Sequence, residues 1–82
     1  GIEDMSALAG RIHIYPNPAR DVVYIQSPIA VNVAITGMEG RVIGTIEDAR
    51  SFSIKSLAVG IYMLRISNQD GMLIETVKIV KQ

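Results

Sequence analysis

Apolar residues in this chain recur at every second position, in short runs cut off by glycine, proline or clusters of polar residues. A period of two marks a strand with one buried face. Seven segments read as strands: 11–15, 21–27, 29–36, 41–47, 51–55, 61–67 and 72–80. Ile12 and Ile14 share one face of their strand, as do Val23 and Ile25 and also Val31, Val33 and Ile35, while Phe52 and Ile54, and Val77 and Ile79, are expected to face inward. Segment 61–67 is apolar on both faces, with Tyr62, Leu64 and Ile66 against Ile61 and Met63, which predicts a strand inside a sheet. Seven short strands with close turn signals predict a small all-β sandwich, with a closed barrel as the alternative arrangement.

The turns are specific. Gly37-Met38-Glu39-Gly40 places two glycines around a two-residue tip, and both are expected to supply positive φ for a tight hairpin. Asn68-Gln69-Asp70-Gly71 predicts a second hairpin. Residues 56–60 form a connection with Leu57 as its buried plug and Gly60 as its bend. Residues 1–10 show no clear period and read as a linker that docks Ile2 or Leu8 at most, with a weak helical turn over 5–9 ended by Gly10.

The segment Ile14-Tyr15-Pro16-Asn17-Pro18-Ala19-Arg20 behaves differently. Proline has no N–H and pushes the residue before it toward extended backbone. Tyr15, Pro16, Asn17 and Pro18 are therefore expected to be extended, with one edge that has no donors. An edge strand or a crossing between sheets tolerates this, and a central strand does not. The segment predicts the corner where the first strand leaves its sheet.

Composition narrows the function. Eight Lys+Arg balance eight Asp+Glu, and the charges are scattered. A nucleic-acid or anionic-membrane surface needs a basic patch, and none is evident. No apolar run is long enough to span a bilayer, so membrane insertion is not expected. No signal-peptide pattern opens the sequence, so export would need a segment upstream of Gly1. With no cysteine there is neither a disulfide nor thiolate chemistry.

Catalytic and metal chemistry find few candidates. His13 is the single histidine and lacks the partners of a triad or a metal site. The carboxylates fall mainly in turns and the linker, where Asp serves local hydrogen bonding. The glycines do not form a phosphate-cradling motif. No enzyme, cofactor or metal site is expected. Open sheet edges suggest a binding, docking or addressing module, and an isolated domain that pairs edge to edge or swaps its seventh strand.

Three motifs follow one another in order. The first is Ile14-Tyr15-Pro16-Asn17-Pro18-Ala19, with Val23 and Ile25 soon after. The second is the hairpin of Gly37, Gly40 and Arg41-Val42-Ile43. The third runs from Leu57-Ala58-Val59-Gly60-Ile61-Tyr62-Met63-Leu64-Arg65-Ile66 through a turn to Val77-Lys78-Ile79-Val80-Lys81. This ordered set resembles the C-terminal sorting domain of proteins carried by the type IX (Por) secretion system of certain Gram-negative bacteria. The resemblance covers residues 11–82, and Gly1-Ile2-Glu3-Asp4 resembles the usual lead-in. One departure is Gln82, which follows the final lysine.

The resemblance implies an immunoglobulin-like Greek-key sandwich of seven strands, attached as residues 11–82 behind a cargo domain, with 1–10 as the linker. It implies a non-catalytic signal, read in the periplasm after Sec export by the translocon and shuttle proteins, that takes cargo to the cell surface or beyond. A cell-surface sortase usually removes the domain, near or upstream of Gly1, and joins the cargo to anionic lipopolysaccharide. Export is tied to the last strands, here Gly60, Tyr62, Lys78 and Lys81. Tyr15, Pro16, Asn17, Pro18, Gly37 and Gly40 are then fold landmarks that present the signal. The alternative is an immunoglobulin-like accessory module that binds carbohydrate or protein at the cell surface, for which exposed tyrosines would be the sequence support.

Overall fold

The computed structural model describes residues 5–82. The expected docking of Ile2 lies outside the described residues. The elements are α1 (Met5–Ala9), β1 (His13–Tyr15), β2 (Val22–Gln26), β3 (Asn32–Thr36), β4 (Val42–Ile46), β5 (Ser51–Ser53), β6 (Gly60–Ser67) and β7 (Leu73–Lys81). They build two sheets, β1-β2-β5 and β4-β3-β6-β7, in which every strand pair is antiparallel. The arrangement is a sandwich and not a closed barrel. Links β2–β3, β4–β5 and β5–β6 cross between the sheets, while β3–β4 and β6–β7 are hairpins, which is the Greek-key pattern.

The inward alternation forms the core. Val23, Val31, Val33, Ile54, Leu64, Ile66 and Ile79 are almost fully buried, and Phe52 joins them. Each such side chain contributes on the order of 1.5–3 kcal/mol through removal from water. Strand β6 lies between β3 and β7, as its two apolar faces predict. At its start the Tyr62 hydroxyl donates to the Ala58 carbonyl at 2.6 Å. A tyrosine tying a strand to the corner before it is a mark of immunoglobulin-like sandwiches.

Both hairpins use one construction. Gly40 N–H donates to Gly37 O and Gly71 N–H to Asn68 O, each at 3.0 Å. Gly40 and Gly71 hold φ of 89° and 88°. This is a four-residue turn closed by a glycine in the left-handed region. Gly37 does not share that conformation, so one glycine of the first turn, and not both, supplies positive φ.

Other boundaries differ from expectation. β3 begins at Asn32 and not at residue 29, because Pro28 and Ile29 lie in a bend. Val31 is still buried, and its carbonyl accepts the Ala49 N–H at 2.7 Å. Gly60 is the first residue of β6, paired opposite Lys81, and not a bend before it. Leu57 is half-buried and packs against the core from the β5–β6 connection. α1 is the short helical turn, and it lies against β7. Leu8 in it is half-buried.

The proline segment departs most from expectation. Tyr15 is extended within β1, but residues 16–18 bend, and the Tyr15–Pro16 and Asn17–Pro18 bonds are cis. The crossing between sheets is present in another form. Directly after Pro18 the chain touches the opposite sheet, where Ala19 forms a single parallel bridge with Lys81. It then returns to the first sheet as β2.

Candidate functional site

The residues implied in export lie on two paired strands. Gly60 stands opposite Lys81, Tyr62 opposite Ile79 and Met63 opposite Lys78. The strand that would carry the signal is held on its other side by the proline segment. Asn17 Nδ2 donates to Lys78 O at 2.9 Å, and Val80 N–H donates to Asn17 Oδ1 at 3.1 Å. Prolines 16 and 18 have no N–H to offer a strand edge. The Asn17 carboxamide carries both a donor and an acceptor, so it pairs with β7 as a backbone peptide would. Ala19 continues the pairing: its N–H donates to Val80 O and its carbonyl accepts the Gln82 N–H, each at 2.8 Å. The end of β7 is therefore paired on both sides, and strand exchange through it must break these bonds.

Lys81 closes the same junction from inside. The alternation Val77, Ile79, Lys81 turns its side chain inward, and the residue is only 8% exposed. Its ammonium group donates to Ile54 O at 3.0 Å and to Arg20 O. Both carbonyls belong to segments flanking the three-stranded sheet, so Lys81 ties the two sheets together. A buried ammonium needs such acceptors, because burying an unpaired charge is costly. Lys78 has the opposite orientation and is exposed.

The sequence landmarks thus form two groups. Asn17 meets the strand carrying Lys78 and Lys81, with Pro16 and Pro18 beside it, whereas Gly37 and Gly40 shape a separate hairpin. Tyr15 points outward from β1 and stacks on Tyr24, its direct partner in β2, at 5.6 Å between ring centroids. The contributions of Asn17 and Ala19 to the junction were not anticipated from sequence. A single Asn between two prolines that forbid backbone pairing is the signal that could have found the first.

Among the described residues, no group of three or more His, Cys, Asp or Glu side chains could hold a metal ion. His13 is exposed opposite Gln26. Together with Gly10, Arg11, Ser27 and Pro28, these two line a cavity of about 330 Å³ on the other sheet. No helix among the described residues is long and apolar enough to cross a membrane.

The sequence matches the family described as the secretion system C-terminal sorting domain over residues 13–82. No curated protein matches it. Among solved structures, PorZ of Porphyromonas gingivalis is similar at a TM-score of 0.71 and 19% identity, over 95% of this chain and 12% of that chain. PorZ is an essential bacterial surface component of the type IX secretion system. At this identity the likeness is one of fold, and the chain spans a small part of the PorZ length. The family match takes in all seven strands, from His13 to Lys81, and the chain belongs to the secretion system C-terminal sorting domain family.

Proposed function

We propose that this domain is a non-catalytic address that carries an attached cargo protein through the outer membrane by type IX secretion. The observation that supports it most is the family match over residues 13–82. On this reading residues 1–10 join the domain to its cargo, and residues 11–82 form the signal. The cargo passes through the periplasm, where the translocon and shuttle proteins engage the domain. A cell-surface sortase then cuts near or upstream of Gly1 and leaves the cargo at the surface.

Within the signal the roles divide. Lys78 is exposed and available for contact, whereas Lys81 is buried and Tyr62 is half-buried. Lys81, Tyr62 and Gly60 act as positioning residues that hold the last two strands in register. Asn17 fixes the backbone on either side of Ile79. The test is a fusion of residues 1–82 to an inert periplasmic reporter in a bacterium that has the system. The reporter is expected at the cell surface or in the medium. Retention in the periplasm while native cargo is exported would reject the proposal.

One observation favours a second reading. Tyr15 and Tyr24 are 49% and 46% exposed, on the same sheet face as His13 and Gln26. Exposed aromatic rings beside hydrogen-bonding side chains suit a saccharide. A glycan array with micromolar binding that Tyr24→Ala abolishes would support an accessory binding module instead.

A further inference from the structure

We infer, on the basis of the sorting-signal reading, that one end of the outer face of the β4-β3-β6-β7 sheet docks a secretion-machinery protein presenting apolar side chains within an acidic rim. The surface consists of Val42, Ile61, Met63, Lys78 and Val80. Strand register brings these residues together. Thr36 of β3 stands opposite both Val42 and Met63, and Met63 stands opposite Lys78, which makes one row across the sheet. Ile61 and Val80 form the next pair on the same face.

The outer face of an antiparallel sheet in water is ordinarily polar. Here Val42 is 57% and Ile61 44% exposed, Met63 and Val80 are half-buried, and Thr36 is buried between its neighbours. Single exposed apolar residues are unremarkable, whereas a contiguous patch rimmed by polar groups marks an interaction surface. From Val42 the face continues into a depression of about 210 Å³, lined also by Ala34, Arg65, Ser67, Gly71 and Leu73. The backbone beneath Lys78 and Val80 is held by Asn17, so this surface is ordered before any partner arrives, which lowers the cost of binding.

Charge selects the occupant. Among the four strands, the charged residues on the outer face are Arg65 and Lys78, both cationic. A second copy placed face to face would set cation against cation. A partner with carboxylates around an apolar centre complements the face instead.

The experiment uses the reporter fusion with single changes at exposed positions. Lys78→Glu and Ile61→Lys alter the proposed face, and Gln26→Lys alters the other sheet as a control. Each purified domain is melted in parallel to establish that it folds. Export by the two face variants is expected to fall by about tenfold or more, the scale of losing one central interface contact, with the control at the unaltered level. If the face variants fold and are exported normally, the docking face is wrong and the sorting reading stands. If the unaltered fusion is not exported, the sorting reading itself fails.

Discussion

The Lys81 ammonium group donates to the carbonyl oxygen of Ile54 at 3.0 Å, across the gap between the two sheets. A hydrogen bond from a charged donor contributes about 1.5–3 kcal/mol, and a buried carbonyl left without a partner costs a similar amount. Lys81→Met keeps the apolar stem and removes the ammonium. It is expected to destabilise the fold by ~2–3 kcal/mol, measured by urea unfolding. A loss below about 0.5 kcal/mol, the usual effect of a surface change, would show that Lys81 is not a tether.

Asn17 allows a finer dissection, because its two bonds to β7 use different atoms. Asn17→Asp retains an acceptor for Val80 N–H and loses the donor to Lys78 O. Asn17→Ala loses both. With about 0.5–1.5 kcal/mol for each bond, the alanine variant should lose about 1–3 kcal/mol, whereas in the aspartate variant a carboxylate oxygen faces the Lys78 carbonyl and adds repulsion to the loss of that one bond. Amide hydrogen exchange at Val80 is the direct measurement: faster in Asn17→Ala, and near normal in Asn17→Asp.

The glycines of the two hairpins should respond unequally to alanine. Gly40 and Gly71 have φ of +89° and +88°, a region that costs other residues about 1–2 kcal/mol. Gly40→Ala and Gly71→Ala should each lower stability by that amount. At Gly37 φ is not positive, and an added Cβ would meet the flexible Glu39 side chain. That side chain can swing away, so Gly37→Ala should cost less than either. Thermal melts of the three variants decide the order.

The stacked Tyr15–Tyr24 pair predicts a coupling energy. Such pairs contribute about 0.5–1.5 kcal/mol beyond buried area. A double-mutant cycle with Tyr15→Ala and Tyr24→Ala should return a coupling in that range. Additive effects would mean that the rings merely lie side by side.

Much of the sandwich was legible because burial enforces alternation. Val23 and Ile25, like Val33 and Ile35, share one face as their spacing predicts, and that face is the buried one. Phe52 and Ile54 point inward as expected, and the apolar character of Leu64 and its neighbours placed β6 inside its sheet. The junction at β7 was less legible. Asn17 and Lys78 are 61 residues apart, and alternation within a strand does not reveal a side chain that pairs with a distant backbone. Lys81 continues the inward parity of Val77 and Ile79, yet lysine is so seldom buried that its type argues the other way. Two glycines in one turn look alike in sequence, and only the path of the chain distinguishes Gly40 from Gly37.

The pairing of Asn17 with Lys78 and Val80 also makes the junction a test of completeness. A chain interrupted before residue 78 leaves the Asn17 carboxamide without its backbone partners, the Ile54 carbonyl without its ammonium, and residues 60–63 of β6 as a bare edge open to aggregation. The joined ends exist only once translation has run through nearly the whole domain. A domain cut short anywhere before that point therefore loses the whole junction at once.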